Sequence, residues 1–295
     1  MAYEIKKGGE LEDELRRAAR RQARCAVRHL KERNARGVGE SVHEARKNLK
    51  KIRGLIRLVR ANLGKKFYNK ENRSFRDIAK VLSARRDVEV LIKTLKKFRS
   101  AHRFAASNPA LTKLHKSLIK QEKEVAGKMK HESKQVLKNL KSARRRTKDW
   151  PIGKIKRSDL CIGFKATYRR GRRAFQKART QPSPENLHEW RKRVKDLGYH
   201  FALLKQFGSK RLGSYCTDLT LLGDRLGDDH DLVMLATAVQ ANLPTPHEFA
   251  TISKSIDASR KPLQKSVFRL GKKLYAEIPK TFVVRIKKDW ARQRK

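Results

Sequence analysis

The sequence predicts an all-α protein built as two similar helical bundles, and three observations carry that expectation. Strand signals are nearly absent, while apolar residues spaced three and four apart run through almost the whole chain. A His-Glu-x-Arg-Lys motif occurs at His43-Glu44-Ala45-Arg46-Lys47 and again, 145 positions later, at His188-Glu189-Trp190-Arg191-Lys192. Lys and Arg number 76 against 29 Asp and Glu, a net charge of +47. The first two observations describe a duplicated bundle. The third describes its ligand, because such an imbalance repels itself and attracts anions over long range. Nucleic acid, an acidic membrane surface and polyphosphate are the natural classes.

The elements follow in order. The first helix is expected from Glu10 to Arg33, with Glu10, Glu12, Asp13 and Glu14 at the positive end of its dipole. Gly37 and Gly39 break the chain, and Ser41 with Glu44 reads as a capping box for the second helix. That helix buries Val42, Ala45, Leu49, Ile52, Ile56 and Val59. One position along runs a basic row, His43, Arg46, Lys50, Arg53, Arg57 and Arg60, about 26 Å long at ~1.5 Å per residue. A helical stretch from about Lys66 is interrupted near Ser83 and resumes around Asp87; a long polar helix spans Ala110 to Lys148. Trp150-Pro151-Ile152-Gly153 reads as the boundary between halves.

The pattern then returns. A basic helix covers Asp159 to Arg179, Pro182-Ser183-Pro184 replaces the glycines, and Asn186 with Glu189 remakes the cap. Leu187, Trp190, Val194, Leu197, Phe201 and Leu204 repeat the apolar stripe. Phe75 to Leu95 aligns with Leu219 to Val239 at an offset of 144. Helices near 246–275 and 280–293 complete the chain, with Pro262 and Pro279 expected to kink or divide them. The 295 residues are thus read as one domain of two repeats, about 1–149 and 150–295. Packed with pseudo-two-fold symmetry, the repeats bring their basic stripes to a common groove. Charged residues make up 36% and mean hydropathy is −0.78, values that would suit disorder. The periodic apolar stripes instead mark the charge as a solvated or ligand-binding face.

His43 and His188 are placed near the second position of their helices, where free amides and the dipole favour an anion. Their recurrence, each time before Arg and Lys, favours ligand binding over a merely structural polar residue. Glu44 and Glu189 are explained as capping partners. Asp87 and Asp231 read as helix caps or buried partners of basic residues rather than as catalytic groups. At the 145 offset Arg24 falls on Arg169, Arg28 on Arg173, Arg46 on Arg191, Lys47 on Lys192, Lys50 on Lys195 and Arg60 on Lys205. Lys51, Arg53 and Arg57 instead meet Asp196, Gly198 and Ala202, so the basic row is longer in the first half. Arg144-Arg145-Arg146 and the stretch from Arg285 to Lys295 read as solvated faces or tails. Cys25, Cys161 and Cys216 lack metal-ligand spacing and suit a reducing compartment. With no leader-like or membrane-length apolar run, the expectation is a cytoplasmic protein that does not enter a membrane. Phosphate-cradling glycine loops, paired acidic metal clusters and nucleophile elbows are not found.

These residues resemble the CHAD domain, the conserved histidine α-helical domain. The opening Tyr3-Glu4-Ile5-Lys6-Lys7-Gly8-Gly9-Glu10-Leu11 is similar to that family's start. Val42 to Lys47 and Leu187 to Lys195 resemble its two histidine motifs, and Leu82 to Asp87 and Leu226 to Leu232 the paired segments that follow. The resemblance covers almost the whole chain. It implies two pseudo-symmetric antiparallel bundles around a basic central channel that binds inorganic polyphosphate, with association to polyphosphate granules. Some family members are fused to a CYTH triphosphatase domain, whose Glu-x-Glu-x-Lys strand motif is not matched here. Gly198 and Tyr199 depart from the family's basic run, which implies a weaker grip in the second half.

The expected function is therefore non-catalytic polyphosphate binding, with no cofactor and no metal. The expected site is Arg24, Arg28, His43, Arg46, Lys47, Lys50, Arg53, Arg57, Arg169, Arg173, His188, Arg191, Lys192 and Lys195. Arg24, Arg28, Arg169 and Arg173 form the opposite walls in this reading. The alternatives are non-specific nucleic-acid binding, disfavoured because aromatics are only 7% and do not interleave the basic rows, and an enzyme of polyphosphate metabolism.

Overall fold

The computed structural model describes residues 3–6, 8–32, 37–242 and 246–292, without the side chains of 84–85, 128–133, 210–211 and 246. The predicted end of the first helix at Arg33 and the tail at 293–295 lie outside the described residues. Among the described residues all regular structure is helical. The α-helices are α1 (Leu11–Lys31), α2 (Val38–Leu58), the short α3 (Arg60–Leu63), α4 (Lys65–Val81), α5 (Ser83–Ala101) and the short α6 (Arg103–Ala106). They continue with α7 (Pro109–Arg146), α8 (Arg157–Thr180), α9 (Pro184–Leu203), α10 (Lys210–Asn242), α11 (Pro246–Leu274) and α12 (Pro279–Arg292). Single 3-10 turns occupy Thr147–Asp149 and Lys205–Phe207.

Two helix starts differ from expectation. Gly37, at φ 79°, opens α2 a turn earlier than the Ser41 cap predicts, and Ser41 lies inside the helix with its hydroxyl buried and unpartnered. Glycine adopts that φ without the steric cost a Cβ would bring, so the turn forms there. In α9 the Ser183 hydroxyl, not Asn186, is the cap: it accepts the Asn186 N–H at 3.3 Å, and Pro184 occupies the first helical position. His43 and His188 are consequently the sixth and fifth residues of their helices, beyond the free amides of the first turn. Their placement owes nothing to a helix N-terminus. Glu44 and Glu189 do not cap either. Glu44 pairs with Lys47 (3.1 Å), and Glu189 with Arg193 and with Lys192 (3.4 Å).

The break near Ser83 is present, with Leu82 separating α4 from α5, whereas α10 runs unbroken for 33 residues. α11 continues through Pro262, while Pro279 does open a new helix. In the two basic stretches read as solvated, Arg145, Lys287 and Lys288 are exposed, but one arginine of each is anchored. Arg146 binds the buried Glu71 carboxylate at 2.8 Å, and Arg285 binds Glu277 at 2.9 Å against the Tyr215 and Phe282 rings.

α1 packs along α2, and α8 along α9; α2 then lies against α9, and α5 against α10. The larger hydrophobic cluster draws on α1, α2, α4, the end of α7, α8, α9, the start of α10, the end of α11 and α12. A smaller one joins α5, α6, the start of α7, the end of α10 and the start of α11. The expected boundary is no loose linker, since Trp150 and Ile152 are buried in the larger cluster and Arg16 Nε donates to the Trp150 carbonyl at 3.0 Å. The N-terminal segment also ties distant parts together: the Ile5 N–H donates to the Leu203 carbonyl (2.9 Å) and the Tyr3 hydroxyl to the Lys51 carbonyl (2.7 Å).

Two close approaches set the placement of α2. A Cβ on Gly163 of α8 would fall 2.0 Å from the Leu58 carbonyl oxygen, so only glycine lets α8 meet the end of α2. A Cβ on Gly54 would fall 3.0 Å from Tyr199 Cβ, which fixes the contact between α2 and α9. Beside it His200 Nε2 lies 3.0 Å from the Gly54 carbonyl. A carbonyl only accepts, so Nε2 carries the proton; burial holds the imidazole pKa down to about 3, keeping it neutral.

Candidate functional site

The apolar seam of α2 turns Ala45, Leu49 and Ile52 fully inward. The next residues round the helix therefore stand at the seam's edge, where a long side chain can lie over the neighbouring helices. Arg46 reaches the end of α4, its guanidinium donating to the Ala79 carbonyl at 3.0 Å. That carbonyl is among the last four of α4, which have no partner within their own helix. Burial lowers the Arg46 pKa; Asp87 of α5 opposes that shift and Arg86 adds to it.

The same edge of α9 carries Arg191 and Lys195. Two glycines of α10 make room for them. A Cβ on Gly227 would lie 3.2 Å from Arg191 Nη2, and one on Gly223 would lie 3.1 Å from Lys195 Cε. Lys195 Nζ pairs with Asp224 at 2.8 Å. Asp231 also lies near Arg191: burial raises its pKa, and the Arg191 charge is the strongest opposing influence.

Lys50 stands at the convergence of these groups. Its side chain is open to solvent, with protein packed near its amine. Its pKa is lowered to about 8 by that enclosure and then by Arg46, Arg191, Lys195 and Arg86 in turn. Five cations from α2, α5 and α9 thus meet at one place, and the charges acting most strongly on Lys50 include no carboxylate. Like charges held together disfavour one another's ionisation.

The two histidines flank this set. His43 is half-exposed with Nε2 3.9 Å from Glu44. Burial lowers its pKa, then Arg86, with Lys47 and Lys50 adding and Glu44 opposing. The His188 pKa is lowered by burial, then by Lys192 and Arg191. Its Nδ1 is buried and unpartnered, and its ring packs on that of His230 with centroids 4.2 Å apart.

The expected site residues thus divide. His43, Arg46, Lys50, His188, Arg191 and Lys195 come together, with Lys47 and Lys192 exposed beside them and held by Glu44 and Glu189. Arg53 and Arg57 do not join them. Arg53 Nε donates to Asn72 of α4 at 3.1 Å, and Arg57 forms a buried pair with Asp196 at 2.5 Å. With Arg170 and Arg193 they make a separate cluster around that carboxylate. Arg24, Arg28, Arg169 and Arg173 are exposed on α1 and α8 and are not among the charges acting most strongly on Lys50, His43 or His188. Asp87 and Asp231 face Arg46 and Arg191 from within α5 and α10, so neither is a helix cap. Arg86 and His230 are participants that the motifs did not single out.

No group of three or more His, Cys, Asp or Glu side chains among the described residues is placed to hold a metal ion. No described helix is long and apolar enough to cross a membrane. Cys25 and Cys161 are buried, and Cys216 is partly buried.

The structure defines an all-helical protein in which α2 and α9 pack together and carry a cluster of basic side chains. The model of the CHAD domain family matches residues 11–240, and the chain belongs to that family. No curated protein gives a significant match to the chain. The helices beyond residue 240 are nonetheless continuous with the matched part, since Val267, Tyr275, Phe282 and Trp290 share its larger core.

Proposed function

We propose that this chain binds long-chain inorganic polyphosphate, without turning it over, in a basic channel between two halves of one duplicated domain. The observation that carries the reading is the convergence on Lys50 of Arg46, Arg191, Lys195 and Arg86. Such crowding costs free energy in the empty protein, and a linear polyanion removes that cost while gaining charge-assisted hydrogen bonds. The duplication accounts for the arrangement, because residues matched at the 145 offset, Arg46 with Arg191 and Lys50 with Lys195, lie around the same recess. The buried Trp150 junction and the Ile5–Leu203 hydrogen bond favour two repeats, about 1–149 and 150–295, in a single domain. The CHAD resemblance supplies the ligand class and a cytoplasmic place at polyphosphate granules.

Phosphate oxygens would take hydrogen bonds from Arg46, Lys50, Arg191 and Lys195, with His43 and His188 at the sides. Lys47 and Lys192 would serve a chain leaving the recess. Arg53, Arg57, Arg24, Arg28, Arg169 and Arg173 would add long-range attraction rather than direct contacts. Among the described residues most large aromatic side chains lie in the cores, which leaves few stacking platforms of the kind that nucleic-acid bases require.

Lys50 gives this reading a pH signature. An anion prefers the protonated amine, so the part of the affinity that Lys50 supplies is expected to fall as pH rises through about 8 and to be constant below it. Titrations between about pH 7 and about pH 9 on wild type and Lys50→Gln test this. The variant should bind more weakly at about pH 7 and lose most of the slope. Identical slopes in the two proteins would remove Lys50 from the site.

A further inference from the structure

The two halves present unlike partners to their histidines. Arg86 of α5 is the charged group acting most strongly on His43 of α2. At the 144 offset Arg86 corresponds to His230 of α10. There the His230 ring packs against His188 of α9, centroids 4.2 Å apart and planes inclined by 32°. Arg86 is tied to Glu89 (3.3 Å), whereas the position corresponding to Glu89 is Val233, which offers no carboxylate. One half therefore holds a permanent cation beside its histidine, and the other holds a second imidazole.

We propose that His230 is a ligand-binding residue of the second half, the titratable counterpart of Arg86, so that the recess grips a polyanion with fixed charge on one side and proton-dependent charge on the other. This deepens the polyphosphate reading and rests on it.

The surroundings of the pair support the assignment. α9 brings Arg191, Lys192 and Glu189 to His188, and Lys50 of α2 also acts on it. α10 itself supplies Asp231 beside His230, with Asp228 near it, and Arg86 and Lys97 of α5 act on Asp231. Asp229 is turned away, bound to Arg260 and Gln264 of α11 at 3.0 Å each. Burial first, then His188, Arg191 and Lys192, hold His230 down to about 4 in the empty protein. Both rings are consequently neutral at neutral pH. An anion seated on Arg191 and Lys50 adds negative charge beside the pair and favours its protonation. Protonation of one ring opposes that of the other at this separation, so the pair takes up about one proton rather than two. By linkage the affinity rises as pH falls, by at most about tenfold per pH unit for one proton. The internal phosphates of a long chain stay ionised throughout, so the slope belongs to the protein.

The test titrates long-chain polyphosphate into the whole protein at constant ionic strength, at about pH 7.5 and about pH 5.5. Wild type is compared with His230→Gln and His230→Arg, and calorimetry in two buffers of unlike ionisation enthalpy counts protons. Wild type should bind several-fold tighter at the lower pH and take up protons there. His230→Gln should lose much of that gain. His230→Arg should bind tighter than wild type at the higher pH and show a flatter profile, as a fixed charge requires. His43 and His188 remain in every protein, so the difference reports what His230 adds to the coupled pair. Binding with the same slope and proton uptake in all three overturns this inference alone. No binding by wild type at either pH overturns the polyphosphate reading and this inference with it.

Discussion

Replacing Arg46 and Arg191 together by alanine is expected to weaken polyphosphate binding by about 2–5 kcal/mol, somewhat less than the sum of ~1.5–3 for each charged hydrogen-bonding group because groups sharing one ligand are not additive. That is roughly a 30-fold to few-thousand-fold loss. These two residues are chosen because they occupy matching places in the two halves. Arg46 is bound to the Ala79 carbonyl with Asp87 near it, while Arg191 lies over Gly227 with Asp231 near it and its Nε buried without a partner. The Ala79 bond keeps the Arg46 guanidinium extended before any ligand arrives, which lowers the ordering cost of binding. The carboxylates also explain why the free protein tolerates the charges. Helical circular dichroism and melting temperature should change little, because both side chains lie at the edge of the apolar seams rather than within them. Wild-type affinity in the double variant at physiological salt would show that the recess is not where the polymer sits.

Gly163→Ala is the second large effect, on folding rather than binding. The added methyl would fall 2.0 Å from the Leu58 carbonyl oxygen, a backbone atom that cannot rotate away. α8 and α2 must separate, and both carry the larger core through Phe164 and Ile56. Overpacking of this kind costs about 3 kcal/mol or more. Gly213→Ala, with nothing within 4 Å of the new methyl, is the internal comparison and should stabilise α10 by up to about 1 kcal/mol. Denaturant unfolding of the two variants beside wild type reads both signs. Equal midpoints for Gly163→Ala and wild type would mean that α2 and α8 do not meet as described.

Much of the architecture was legible because helices announce themselves through repetition. The stripes Val42 to Val59 and Leu187 to Leu204 are buried as their spacing predicts. The basic groups one position along, Arg46, Lys50, Arg191 and Lys195, lie near one another where α2 and α9 pack. Helix ends were read less well, for physical reasons. Ser41 followed by Glu44 satisfies the capping pattern, but Gly37 at positive φ starts the helix earlier and leaves Ser41 in its interior. The basic row of α2 also misled beyond Lys50. A helical stripe says which side chains share a face, not which neighbours lie over its two ends. Arg53 and Arg57 meet Asn72 and Asp196, whose positions depend on how α4 and α9 pack. Arg86 and His230 could have been found earlier, since the 144 offset aligns them. Their unlike chemistry concealed a correspondence that only the packing against His43 and His188 makes meaningful.

The most direct measurement is a titration of long-chain polyphosphate into the protein at ~0.15 M salt and neutral pH, with duplex DNA and RNA as competitors. Wild type is run beside a variant with His43, Arg46, His188 and Arg191 all changed to alanine. A dedicated channel predicts tight polyphosphate binding that nucleic acid does not displace and that collapses in the variant. Equal binding of all three polymers, indifferent to the four substitutions, would contradict the account and leave a generic basic surface in its place.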